Sequence, residues 1–256
     1  MIRTITAMRY VTPLREGGSL PAIVEADDKK LYVLKFFGAG QGPKALIAEL
    51  LAGELGRALG LPVPEIVLAH LDPALGRSEP DPEIQDLIRA STGLNLALAY
   101  LPGAFAFDPV LTPLVSELAS EIVWFDAYMT NVDRTPRNPN ILIWNEQPWL
   151  IDHGAALYFH HTWTDYLARS RTPFPFIKEH ILLPFAGELP QADARLSAQL
   201  TPELISQVVG LIPDEWLGQE AGFANQTEHR AAYVTYLRQR LESPRRFVEE
   251  ALHARA

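Results

Sequence analysis

The stretch Thr130–Gly154, TNVDRTPRNPNILIWNEQPWLIDHG, decides how the rest of the chain is read. It begins as a polar loop and passes into the apolar run Asn140–Trp144. It turns at Asn145-Glu146-Gln147-Pro148, returns through Trp149–Ile151 and ends in Asp152-His153-Gly154. Two short β-forming runs separated by turn residues predict a hairpin. Asp133 and Asp152 lie 19 positions apart at its two ends, and Asn138 follows Asp133 by five. Taken alone, Asp133–Asn140 is also what a turn-rich loop looks like, because Asp, Asn and Pro all favour turns. Asp152-His153-Gly154 is equally what a strand-ending turn looks like. The surroundings of the stretch have to separate these readings.

Upstream, residues 1–37 read as strands, with Gly17-Gly18-Ser19 a flexible turn between Tyr10-Val11 and Ala22-Ile23-Val24. Leu31–Phe37, LYVLKFF, predicts a buried strand interrupted by Lys35. A lysine there either sits at a strand edge with its head in water or is buried with a partner, since an unpaired ammonium is costly to bury. Gly38–Pro43, GAGQGP, carries neither GxGxxG nor the Walker pattern and reads as a linker. Lys44–Leu59 predicts a helix with Ile47, Leu50, Leu51, Leu55, Ala58 and Leu59 on a broad apolar face, closed by Gly60, Pro62 and Pro64. Glu49 and Glu54 both lie on it. Periodicity puts Glu54 nearer the middle of the apolar stripe and Glu49 off it.

Val63–Leu71 predicts a strand, Asp81-Pro82 the start of a short helix to Ala90, and Leu94–Leu101 another strand. The break at Tyr100-Leu101-Pro102-Gly103 divides a mostly stranded part, 1–102, from a mostly helical part, 103–256. In the second part Leu114–Met129 is an apolar helix that delivers the opening stretch, with Leu118, Ile122, Val123, Phe125 and Tyr128 at helical spacing. Thr201–Val209, Pro213–Gly218, Glu228–Leu241 and Pro244–Ala254 predict further helices, the last capped by Ser243-Pro244. His160-His161 invite a metal reading, but no third ligand accompanies them at metal spacing.

Composition narrows the functional classes. The 256 residues are 48% hydrophobic with a net charge of −9, and no long basic run occurs. Sequence-independent binding to nucleic acid or to an anionic membrane is therefore not expected. There are no cysteines, which removes disulfides, thiolate metal sites and cysteine catalysis and suits a cytoplasmic protein. No apolar run reaches the ~20 residues of a membrane helix, and the N-terminus lacks a signal-peptide pattern.

Phosphoryl transfer asks for a lysine on the nucleotide phosphates, a carboxylate that orients it, a carboxylate near the nucleophile, and an acid plus an amide for Mg²⁺. Lys35, Glu49, Asp133, Asn138 and Asp152 supply these in chain order. Each signal is weak by itself. A strand lysine, a helix with a glutamate, a lobe break, an apolar helix, an Asp/Asn loop, a hairpin and a final Asp together form a specific pattern.

The residues Asn131-x-Asp133-Arg134-x-x-x-Asn138 and Ile151-Asp152-His153-Gly154 resemble the HipA-like kinases. So do Val33-Leu34-Lys35, Glu49-Leu50-Leu51 and Gly60-Leu61-Pro62-Val63-Pro64-Glu65 upstream. This is a bacterial branch of the protein-kinase-like fold, related to phosphatidylinositol kinases. The likeness covers roughly residues 10–160. It implies an α+β, bilobal protein-kinase-like fold, with a β-rich N-lobe holding one long helix and a mostly helical C-lobe. It further implies a Mg²⁺- and ATP-dependent phosphotransferase acting on a protein serine or threonine. Small-molecule or lipid-headgroup kinases and nucleotide-binding pseudokinases share the fold, and the phosphoacceptor stays open. Under this resemblance Lys35 contacts ATP phosphates with Glu49, rather than Glu54, as its partner, and Asp133 is the catalytic carboxylate. Asn138 and Asp152 hold the metal, the loop at Gly17, Gly18 and Ser19 covers the phosphates, and the backbone of Ala99, Tyr100 and Leu101 meets the adenine. Three departures stand out. Thr135 replaces a frequent histidine, leaving Arg134 and Arg137 as candidates to neutralise transferred phosphate. Asn140-Ile141-Leu142 makes Asn140 a competitor of Asn138. The chain starts almost at the kinase lobe, so a toxin role is not transferred from HipA.

Overall fold

Five strands close into a barrel in the first hundred residues: β1 (Arg3–Pro13), β2 (Ala22–Ala26), β3 (Leu31–Lys35), β4 (Ile66–Leu71) and β5 (Gly93–Ala99). The computed structural model describes residues 2–14, 20–40, 42–218 and 222–256. The order is β1-β2-β3-β5-β4; β1 and β4 run parallel, and the other pairs are antiparallel. Side chains alternate between the faces of a strand, and here they serve two cores. Tyr32, Leu34, Val67, Ala69 and Ala97 fill the barrel. Ile66, Leu68, Leu96 and Leu98 point outward into the larger core that continues through the helices. Lys35 follows Leu34 and so leaves β3 on the outer side.

That outer side is covered by α1 (Gly42–Ala58). Every residue from Leu46 to Gly53 is buried, as are Leu55 and Gly56. The helix is buried on most of its circumference because it lies between β4 and β5 on one side and α6 (Pro202–Val209) and α7 (Asp214–Leu217) on the other. A single apolar stripe is the wrong template for such a helix, and the ranking of Glu54 over Glu49 by periodicity fails for this reason. A Cβ on Gly53 would lie 2.1 Å from Ile66 Cδ1, so α1 needs glycine to approach β4 this closely.

The segment after β3 is packed rather than free. Phe37 N–H donates to Asn95 Oδ1 at 2.7 Å and Gly38 N–H to Ser91 Oγ at 3.0 Å. Ser91 caps α2 (Pro82–Ala90), which begins as expected with Asp81 accepting from Glu83 N–H. Gly17, Gly18 and Ser19 lie outside the described residues.

The second part is built on α3 (Ser116–Met129), buried from Ala119 to Met129. Its last carbonyls are taken by Arg240, whose Nη2 donates to Ala127 O and Nε to Tyr128 O, both at 2.8 Å. A buried cation at a helix C-terminus opposes the negative end of the dipole. Thr130 follows in the left-handed region, φ 52°, and turns the chain into the polar loop. A small sheet of β6 (Phe105–Ala106), β7 (Ile141–Trp144) and β8 (Gln147–Leu150) comes next, and α4 (Tyr166–Arg169), α5 (Leu189–Gln199), α8 (Gln226–Arg240) and α9 (Arg246–Arg255) complete the packing.

Several sequence expectations change. The hairpin turn is two residues, not four: Asn145 and Glu146 both have positive φ, 50° and 63°, and Gln147 and Pro148 already belong to β8. Such a turn matches the twist of the strands it joins. β4 starts at Ile66 rather than Val63, past the two prolines. Helix α5 went unread because only Leu189, Ala192 and Leu196 of its eleven residues are buried. Arg245 stands at the N-cap of α9 without a side-chain capping bond, so Ser243-Pro244 is not its cap. Among the described residues no helix is long and apolar enough to cross a membrane.

Candidate active site

Four segments distant in sequence bring charged groups together between the barrel and the end of α3. Lys35, the last residue of β3, donates from Nζ to Asp152 Oδ1 at 2.6 Å. The lysine side chain is 12% exposed and that of Asp152 41%, so the ammonium is enclosed while the carboxylate opens to solvent. Burial alone would lower the Lys35 pKa; Glu49 first, and then Asp152, outweigh it and raise it. Glu49 is 1% exposed. Burial pushes its carboxyl up, but the Lys35 ammonium and the His153 ring hold it well below the usual carboxylate range. Its Oε1 lies 3.4 Å from Nδ1 of the fully buried His153. Glu54 is only half-buried and pairs with Arg57 on its own helix at 3.3 Å. Of the two glutamates, Glu49 therefore acts on Lys35.

Asp133 Oδ2 accepts from Asn138 Nδ2 at 2.7 Å and from Asn140 Nδ2 at 3.4 Å. Burial above all, with the nearby Asp152 charge, pushes the Asp133 carboxyl up against these bonds. The two amides differ in setting. Asn138 is exposed on a tight turn, where it and Thr135 exchange backbone bonds at 3.0 Å. Asn140 is buried at the root of β7, and its carbonyl accepts from Ile151 N–H at 3.0 Å, one residue before Asp152. Asn140 and Asp152 both hold left-handed backbone, φ 48° and 55°. Non-glycine residues kept there are over-determined by their surroundings, and such positions gather at functional sites.

Beneath this loop lies an anchor that the sequence reading missed. Asp126, fully buried in α3, accepts at Oδ2 from Arg134 Nε at 2.5 Å and from His180 Nε2 at 2.9 Å, and at Oδ1 from Asn131 Nδ2 at 2.9 Å. Asn131 Oδ1 in turn accepts from Asp133 N–H at 3.2 Å. Burial raises the Asp126 carboxyl, but Arg134 and His180 hold it far below the ordinary range. Arg134 is 1% exposed and also donates to Asn140 O. Its guanidinium faces inward, which removes it as a group that neutralises transferred phosphate; Arg137 stays exposed. The available signal was Asp126 as the one charged residue in the apolar run Ile122–Met129, since such groups are buried only when paired.

Asp133, Asn138, Asn140 and Asp152 offer carboxylate and amide oxygens, the donors a hard divalent cation such as Mg²⁺ takes. Among the described residues no cluster of three or more His, Cys, Asp or Glu forms another metal site. His160 is buried with Nδ1 3.1 Å from Tyr233 Oη. In the 99–101 segment, Ala99 N–H is spent on Glu65 O and Tyr100 N–H on Leu31 O. Leu101 N–H is the unspent donor there among the described residues.

The whole chain is similar in shape to solved kinases. It matches the Helicobacter pylori proinflammatory kinase CtkA at 13% identity and TM-score 0.61, over 99% of this chain and 98% of that one. It matches the Golgi casein kinase at 12% identity and TM-score 0.50, over 100% of this chain and 75% of that one. At such identities the likeness shows the fold, a bilobal protein-kinase-like fold. The family model for HipA-like kinases matches residues 8–247, and the chain belongs to that family. No curated protein sequence matches the chain. The family and the fold together define a kinase-type phosphotransferase.

Proposed function

We propose that the protein is a Mg²⁺- and ATP-dependent kinase that phosphorylates serine or threonine hydroxyls of a protein, its own chain included. The observation that carries this reading is the meeting of Lys35, Glu49, Asp133 and Asp152 at one cleft. Residues 1–102 form the nucleotide-binding lobe and 103–256 the catalytic lobe. The Lys35 ammonium, kept charged by Glu49, leaves Asp152 to hold the phosphates. Asp133, with its carboxyl raised, orients the acceptor hydroxyl and takes up its proton. Asp152 and an amide hold the metal, which when bound neutralises charge on the phosphates. Asn140 is favoured over Asn138 for that amide, because its carbonyl bond to Ile151 ties it to the Asp152 strand end. Leu101 N–H suits the adenine, and the loop at Gly17, Gly18 and Ser19 suits the phosphates.

The test is incubation with γ-labelled ATP and Mg²⁺, with and without cell lysate, for wild type, Asp133→Ala and Asp152→Ala. Label on protein that both variants lose supports the reading. Label confined to small molecules points to a small-molecule kinase, and ATP binding without transfer to a pseudokinase. Absence of Mg-ATP binding overturns the kinase reading altogether.

A further inference from the structure

His180 belongs to none of the segments that supply the reacting groups. It follows the short helical turn Pro175–Glu179, 28 residues beyond Asp152, and is 5% exposed. Both its ring nitrogens are committed. Leu182 N–H donates to Nδ1 at 3.0 Å, so Nδ1 accepts and the ring hydrogen sits on Nε2. Nε2 then donates to Asp126 Oδ2 at 2.9 Å. Burial lowers the His180 pKa against the pull of Asp126, with Arg134 adding to the lowering, so the ring is neutral.

The next residue takes a second hold on the same loop: Ile181 N–H donates to Arg134 O at 3.1 Å, adjacent to Asp133. Asp126 passes the first hold on in two ways. Its Oδ2 fixes Arg134, and its Oδ1 fixes Asn131, which receives Asp133 N–H. A histidine that only filled space would have no need of a backbone donor to set its tautomer or of a carboxylate already shared with an arginine.

We propose that His180 is a positioning residue that sets the place of Asp133 through Asp126, with Ile181 clamping the same loop through its backbone. Its effect on turnover rests on the kinase reading above; its effect on the loop does not.

The experiment compares the full-length wild type with His180→Phe, which keeps a ring without the donor, and His180→Gln, which keeps a neutral N–H donor. Hydrogen exchange is followed peptide by peptide, and phosphoryl transfer from γ-labelled ATP to the protein's own chain is measured over a range of ATP concentrations. In His180→Phe, exchange across 131–140 rises about tenfold while the barrel is unchanged, as expected for the loss of one buried charge-assisted bond. kcat falls on the order of 10- to 100-fold with KM for ATP within about twofold, because a small misplacement of a reacting group is costly. His180→Gln recovers most of both. The proposal is overturned by unchanged exchange at 131–140, by a rise spread evenly over the molecule, or by a Gln variant as impaired as Phe. If the Phe variant does not fold, native exchange at 131–140 in the Gln variant supports the proposal and raised exchange overturns it. A wild type without phosphoryl transfer sinks the kinase reading, while the exchange data still decide the role of His180.

Discussion

Lys35 and Asp152 are 117 positions apart and bonded at 2.6 Å. The contact ties the barrel to the end of the hairpin and places a cation on the carboxylate expected to hold a metal. Because the Asp152 side chain is 41% exposed, solvent screens the pair. Asp152→Asn is expected to change folding stability by less than about 1 kcal/mol and to reduce phosphoryl transfer by at least about 100-fold. Urea denaturation beside a transfer assay checks this; a large stability loss would give Asp152 a structural role instead.

Glu49 makes stability depend on acid. Its folded carboxyl is depressed to about 2, against an unfolded value of 4.5. A depressed carboxylate contributes stability that is fully present above the unfolded value and is lost as pH falls through the folded one. Glu49→Gln should therefore be less stable than wild type by on the order of 3 kcal/mol at pH 7. The gap should close between about pH 4.5 and about 2. Unfolding free energies measured across that range decide it; a gap that does not vary with pH would contradict the assignment of the charge interaction.

Asp126 and Asp133 are both acidic residues near the same loop, yet they should differ sharply in what alanine costs. Asp126→Ala leaves a buried guanidinium without its carboxylate and is expected to cost about 3–5 kcal/mol. Asp133, half-buried and bonded only to two amides, should cost no more than about 1–2 kcal/mol. Denaturant midpoints of the two variants, with m-values compared, test the contrast.

Gly53→Ala should destabilise despite the better helix propensity of alanine. The new methyl falls 2.1 Å from Ile66 Cδ1, in a buried contact with little room. Overpacking costs about 1–3 kcal/mol, more than the ~1 kcal/mol of propensity regained. Ile66→Val removes Cδ1, so the double variant should be more stable than Gly53→Ala alone. Thermal melts of wild type, both single variants and the double variant check the sign of the coupling.

The site was legible in the sequence where chemistry and order coincide. Lys35 interrupts a β-rich run, and Asp133 and Asp152 bracket a hairpin; such local signals survive folding unchanged. Glu49 was legible through resemblance only, because α1 is buried on most sides and periodicity carries little information about such a helix. Spacing favours Asn138; the proposal of Asn140 rests on its backbone bond to Ile151, which depends on hairpin register and is not encoded in spacing. Asp126 and His180 were missed because their meaning is a contact across 54 positions. Arg134 was misread because a polar residue in a polar loop gives no hint that it turns inward.

The hairpin also acts as a gauge. β7 and β8 are four residues each, joined by two, and the bond from Ile151 to Asn140 closes the ladder at its open end. No slack lies between Asn140 and Asp152. Residues advance about 3.3 Å per step along a strand and alternate sides at each step. One residue added at Asn145-Glu146 would either be extruded as a bulge or invert the facing of everything up to Asp152. The distance between amide and acid is thus counted in β-residues.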